Sequence, residues 1–511
     1  PPPGRPGIRG RLSFMSTSYD ALAARFARAN RVDEASGWLH WDQSVTMPPG
    51  GASARAEQLA ALAEISHELI ASDITGDLLA KAEAEGASSA EDPWRAANFR
   101  EMQRNYLMTT AIPADLVGAL SRAKNLSETA WRVARPASDF ALALPAFTEL
   151  VKLVREEASA LGEALGLSPY NALLEQYDPG RRIADIEPVF DDLRAFLGDT
   201  IPEIVERQKT WGDGRAIKAP VAAQREAAQG LLKSIGFDFD HGRLDDSLHP
   251  FSTGTPDDAR ITARWNPDDA LTGMMAVLHE AGHAAYTRGQ PGDWRGQPVG
   301  GDAGMAVHES QSLSYEMQAG RTAAMSHYLA KLLSDAASTD ITGEAVSQAL
   351  LKVSPGYIRV DADEATYPLH VILRFELEQA LISGELAPAD LPAAWNQRVV
   401  ESLALDPPDD RNGCLQDIHW YDGAFGYFPT YTLGAMAAAQ LFQAASDSIG
   451  TDDLHGALEK GDYALLTAWM RDNVHSQGRI YPSSNDLLQA ATGAPLSSNA
   501  FKAHIKARYL S

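Results

Sequence analysis

Two histidines four residues apart, with a glutamate following the first, constrain this chain more than any other part of its sequence: His279-Glu280-Ala281-Gly282-His283. In an α-helix such a pair lies on one face, so both imidazoles can reach a single cation. Glu280 falls beside them, where a carboxylate can take a proton from a water that the cation acidifies. The flanking residues predict the helix. Asn266-Pro267-Asp268-Asp269 supplies an N-cap, a proline at the first helical position and acids for the positive end of the dipole. Leu271, Met274, Met275 and Leu278 give an apolar face, and Gly289 is a natural stop.

A hydrolytic metal site needs a third protein ligand and an open position. The single cysteine, Cys414, excludes a thiolate cluster and an intrachain disulfide, and fits a reducing compartment. A third histidine six residues after His283 is excluded as well. That position holds Gly289, and Tyr286 stands where the accompanying glycine would be. The remaining common solution is a glutamate from a later helix. Gly300-Gly301-Asp302-Ala303-Gly304 can turn the chain back, and His308-Glu309-Ser310-Gln311-Ser312 follows it next to apolar Met305, Ala306, Val307 and Leu313. Glu309 is therefore the candidate third ligand; the alternative is a solvated helix glutamate. Such N and O donors suit Zn²⁺ and would also accept Co²⁺ or Mn²⁺.

Helical periodicity dominates from Tyr19 onward, in segments such as Ala54–Ile70, Pro113–Ala134, Leu142–Leu165 and Ile186–Arg207. Pro49-Gly50 and Pro179-Gly180 break the pattern. Between Leu244 and Trp265 it changes: His249 to Gly254 reads as a loop, and Ala259 to Trp265 alternates like a short strand. The edge of that strand could hold a peptide by backbone pairing. Without repeats or a long linker, residues 15–511 are expected to form one large α-rich domain with two lobes around a cleft. Residues 1–14, rich in Pro, Gly and Arg, read as a vector remnant or upstream extension ahead of Met15. A net charge of -24 argues against nucleic acid as a partner. No apolar run approaches a membrane span and no signal peptide is evident, so a cytoplasmic protein is expected.

Six motifs in order carry a resemblance: HPF at His249–Phe251, DARIT at Asp258–Thr262, HEAGH, HESQ at His308–Gln311, IRVDAD at Ile358–Asp363 and GCLQDIHW at Gly413–Trp420. Trp38-Leu39-His40-Trp41-Asp42-Gln43 and Met47-Pro48-Pro49 add an N-terminal match. From about Met15 to its end the chain resembles the carboxypeptidase Taq family of zinc metallocarboxypeptidases. The resemblance implies a mostly α, two-lobed gluzincin fold with a deep groove and a small β-ribbon, similar in outline to neurolysin and angiotensin-converting enzyme. It further implies release of single residues from peptide C-termini with broad specificity, and a homodimer.

On the same resemblance His419 and Tyr427 stabilise the oxyanion, with Tyr431 a substitute, and Arg359 grips the substrate carboxylate. Arg260 and His249 enter as auxiliary substrate-binding residues. Core packing is the alternative for the aromatic cluster, and an ion pair with Asp361 or Asp363 the alternative for Arg359. Asp302, Asp363 and Glu364 are candidates to accept the other N–H of the ligand histidines, with no basis for choosing among them. Two rival functions stay open: an endo-acting oligopeptidase on the same scaffold, and an inactive peptide-binding protein. Aminopeptidase action has no support, because no GxMEN-like segment precedes the HEAGH.

Overall fold

Twenty α-helices, three short strands and nine short 3-10 or π-helical turns make up the regular structure of the described residues. The computed structural model describes residues 17–211 and 216–511, so the expected extension over 1–14 lies outside the described residues. The periodic segments form helices close to the expected bounds: Ala52–Ala71, Ala114–Ala137, Leu144–Leu165 and Ile183–Gln208. The last of these keeps Pro188 and Pro202 inside it.

Two hydrophobic clusters organise the chain. The larger spans most helices after residue 114. The smaller joins Tyr19, Leu22, Phe26, Leu79, Phe99 and Met102 of the N-terminal helices. Polar contacts tie this N-terminal group to the main body. Asn98 Nδ2 donates to Gln297 at 3.0 Å, Arg100 to the Arg479 carbonyl at 2.6 Å, and Arg104 Nε to Glu175 at 3.0 Å.

The strands β1 (Gly242–Asp246), β2 (Ser252–Thr255) and β3 (Asp258–Ala263) form one sheet in the order β1-β3-β2. β3 runs parallel to β1, with Gly242 opposite Ala259, and antiparallel to β2, with Ser252 opposite Ile261. The strand read from the alternation of Ala259 to Trp265 is thus the central one. Both its edges are already paired, so it offers no free edge to a peptide, contrary to expectation.

The HEAGH helix spans Ala270–Gly289 and ends at the expected glycine. Its start differs from the capping prediction, because the Asn266–Asp269 stretch is a turn ahead of the helix. The Pro267 carbonyl accepts from the Ala219 N–H at 3.2 Å, and the Ala270 N–H donates to the Ile217 carbonyl at 2.7 Å. A neighbouring strand of chain therefore satisfies groups that a side-chain cap would otherwise serve.

Candidate active site

Three helices stack in succession from the HEAGH sequence outward. The short helix Met305–Leu313, which carries Glu309, lies between the HEAGH helix and the long helix Pro429–Ile449. Two glycines allow this approach. A Cβ on Gly282 would sit 2.5 Å from the Gln311 carbonyl, and one on Gly434 would sit 2.7 Å from the Glu309 Cβ. The glycine inside HEAGH therefore has its own task, which is to let the Glu309 carboxylate come near the histidines.

His279, His283 and Glu309 converge as expected. Glu309 Oε2 lies 3.7 Å from His279 Nε2 and 3.6 Å from His283 Nε2. One ligand atom from each lies within 4.8 Å of the others. A tetrahedral zinc with bonds of about 2.0–2.1 Å spaces its ligands by roughly 3.3 Å, so the donor set fits such an ion with little adjustment. The local field fits as well. Burial alone would depress the His279 pKa, but Glu309, Glu316 and Glu280 outweigh it and push it up to about 10. These carboxylates favour positive charge at this point, whether carried by a proton or a metal ion.

Each histidine is oriented through its Nδ1, by partners other than those considered from sequence. His279 Nδ1 meets Glu316 Oε2 at 3.1 Å, and Glu316 Oε1 accepts from Arg321 at 2.8 Å. Burial raises the Glu316 carboxyl, yet His279 and Arg321 bring it down to about 2. His283 Nδ1 meets His308 Nδ1 at 2.6 Å. Asp302 is instead paired with Arg479, Asp363 accepts the Ala365 and Thr366 N–H groups, and Glu364 binds His504, Arg508 and Tyr509. Glu316 escaped the sequence reading because its reach depends on a π-helical turn, Ser314–Ala319, that the pattern does not announce. The one available signal was its spacing of seven from Glu309.

Glu280 is buried beside this group, and its burial pushes the carboxyl up to about 7. Beyond His279, the HEAGH helix presents Thr272 and Ala276 to a cavity of about 870 Å³, which His249, Arg359 and His419 also line. Leu248, 82% exposed, and Val360, 68% exposed, border it with apolar surface. Arg135 and Arg264 line it too and were not anticipated. Arg260 lies elsewhere: its guanidinium binds Asp258 and stacks over Trp38 and Trp41, at 4.3 and 4.6 Å from the ring centroids.

Arg359 is ion-paired, though with neither of the acids expected. Asp417 accepts from its Nη2 at 2.7 Å, and Tyr367 Oη from its Nη1 at 2.8 Å. Arg374, fully buried, donates to the same carboxylate at 2.6 Å. Two guanidinium groups thus share one carboxylate, and the cluster keeps a net positive charge beside the cavity. Arg374 carried no sequence signal, whereas Asp417 stood inside a quoted motif without a role.

His419 Nε2 lies 3.1 Å from Tyr431 Oη, and its ring packs on Phe428 with centroids 4.6 Å apart. Its Nδ1 is buried without a hydrogen-bond partner. Burial lowers the His419 pKa to about 4, so the ring is neutral near pH 7. Tyr427 packs edge-on against Tyr431 at 5.3 Å, and burial and the Glu309 charge push its pKa up to about 12. The aromatic cluster is thus packed, and Tyr427 also feels the charge of Glu309.

Comparison with known proteins agrees with this geometry. The model of the carboxypeptidase Taq (M32) metallopeptidase family matches residues 21–509. Thermostable carboxypeptidase 1 of Thermus thermophilus is 37% identical over 483 residues, 92% of this chain and 94% of the relative. Carboxypeptidase 1 of Bacillus subtilis is 33% identical over 476 residues, 92% of this chain and 93% of the relative. The Trypanosoma cruzi metallocarboxypeptidase 1 structure superposes with a TM-score of 0.93 at 33% identity, covering 97% of this chain and 99% of that one. Helical architecture, converging ligands and near full-length similarity together place this chain in the carboxypeptidase Taq (M32) metallopeptidase family.

Proposed function

We propose that this protein is a zinc-dependent carboxypeptidase that releases single residues from peptide C-termini. His279, His283 and Glu309 would hold the ion, and their convergence around one point beside Glu280 is the observation that carries the reading. When bound, zinc supplies Lewis acidity, lowering the pKa of water and polarising a carbonyl oxygen. Glu280 takes a proton from the attacking water and returns it to the leaving amine. Glu316 and His308 hold the two imidazoles in the tautomer that leaves Nε2 free to bind.

The direction of cleavage is read from the cavity beyond His279. The cluster of Arg359, Arg374 and Asp417 keeps one excess positive charge there, which suits a terminal carboxylate. His419 and Tyr427 would supply the donors for the oxyanion, with Tyr431 bonded to His419 Nε2. The exposed Leu248 and Val360 surfaces suit apolar residues at the cleaved end, within a broad specificity. A homodimer, as the family resemblance implies, and a cytoplasmic setting belong to the same proposal.

Zinc-loaded protein incubated with one peptide, as the free acid and as the C-terminal amide, tests the direction. Mass spectrometry is expected to show stepwise loss of C-terminal residues from the acid and none from the amide. Equal cleavage of both would favour the endo-acting reading. Intact peptides throughout, with zinc bound, would favour a binding protein.

A further inference from the structure

We propose that Arg508, three residues from the end of the chain, is a positioning residue for the metal site, acting through the π-helical turn that carries Glu316. This rests on the reading of His279 as a metal ligand.

A π-helical turn is rare because its hydrogen bonds are poor, and it persists where surrounding structure holds it. Ser314–Ala319 is such a turn. It sends Glu316 toward His279, while carbonyls at its far end face the last helix, Asn499–Tyr509. There Arg508 Nη1 donates to the Met317 carbonyl at 2.7 Å, and Nη2 to the Gln318 carbonyl at 3.1 Å. These carbonyls belong to the two residues after Glu316, so the guanidinium grips the backbone beside the group that orients His279.

Arg508 is itself fixed. Its Nη1 lies 2.9 Å from Glu364 Oε2, and that fully buried carboxylate also meets Tyr509 Oη at 3.0 Å and His504 Nε2 at 2.6 Å. All three partners come from the last helix. Arg321, bonded to Glu316, also feels the charge of Glu364. Glu364, one of three acids considered from sequence as partners of the ligand histidines, thus acts further out by seating the helix that holds the turn. The task demands arginine. Two carbonyls and a carboxylate must be reached at once, which a planar fork can do and an ammonium on a flexible stem cannot.

The test measures zinc affinity of the full chain by competition with a chromophoric chelator, independently of turnover. Arg508→Met is expected to weaken zinc binding about tenfold, the lower range for losing a group that supports a metal ligand. Arg508→Lys keeps the charge beside Glu364. It is expected to hold Tm close to wild type yet still weaken binding several-fold, and it carries the test if the methionine variant does not fold. Glu316→Gln serves as the direct reference. Leu150→Ala, in the main core away from the site, controls for general destabilisation and is expected to leave zinc affinity unchanged. Wild-type affinity in folded Arg508 variants, with Glu316→Gln weakened, overturns the proposal. Wild-type affinity in Glu316→Gln and His279→Ala as well would overturn the metal-ligand reading, and this inference with it.

Discussion

His279, His283 and Glu309 are carried by helices packed side by side, whereas Asp417, His419 and Tyr427 sit on residues 404–428, which form neither helix nor strand. On the helical side, position follows from backbone hydrogen bonding and from two glycine contacts that set how closely the helices approach. On the loop side, order comes from buried polar groups. Asp417 is held between Arg359 and Arg374, and Gln416 Oε1 accepts from the Arg359 N–H at 2.8 Å. Glu378 accepts from Trp420 Nε1 at 2.8 Å and from the Gly426 N–H at 3.0 Å, the neighbours of His419 and of Tyr427. A helix tolerates the loss of one side-chain bond. A loop braced by a buried network does not, because each unpaired member bears its full desolvation cost. The contrast teaches that the metal side is exposed to errors of shape and the loop side to errors of charge.

Four changes sharpen or break this contrast. The largest effect is expected from Glu280→Gln, which conserves shape and removes the proposed base. Its kcat should fall by about 10²–10⁴-fold with metal content intact. Steady-state kinetics with metal analysis checks this, and near wild-type turnover would end the proposed mechanism. Next is Asp417→Asn on the loop side, which leaves two buried guanidinium groups short of a carboxylate. A loss of about 3–5 kcal/mol is expected in chemical denaturation; a loss under 1 kcal/mol would show that the loop does not depend on this charge. On the helical side, Gly434→Ala places a methyl group against Glu309 and the Ala306 carbonyl. It should cost about 1–3 kcal/mol and weaken zinc binding, since the overpacked helix carries the proposed ligand Glu309. Unaltered zinc affinity would mean the contact can relax without moving Glu309.

The smallest effect concerns acid. Arg374 and Arg359 hold the Asp417 carboxyl well below the usual carboxylate range despite its burial. A depressed carboxyl contributes stability that is fully present above its unfolded pKa, about 3.9, and is lost as pH falls through the folded value. The Tm gap between wild type and Asp417→Asn should therefore stay constant from pH 7 to about 4 and narrow only below. A gap that closes between pH 7 and pH 5 would assign the stabilisation to another group.

Much of the metal side was legible in the sequence. Four-residue spacing puts two histidines on one helix face whatever surrounds them, and the run of apolar residues around Glu309 marked it as part of a packed helix. The short strand was legible for the same reason, since alternation is a local property. Its place at the centre of the sheet was not, because pairing partners are chosen by tertiary contacts. The start of the HEAGH helix shifted past Asn266 because residues Ile217 and Ala219 bond the turn ahead of it. Arg359 and His419 were found by motif, while their pairing with Asp417 and Tyr431, and the part of Arg374, came only with the fold. The same holds for Glu316. A π-helical turn breaks the period on which sequence reading rests, and Arg508, nearly two hundred residues away, grips its end. The sequence by itself determined which groups can hold a cation, because that rests on local spacing. Tertiary structure alone decided what orients and neutralises them, because buried charges take whichever partners the packed chain brings within reach.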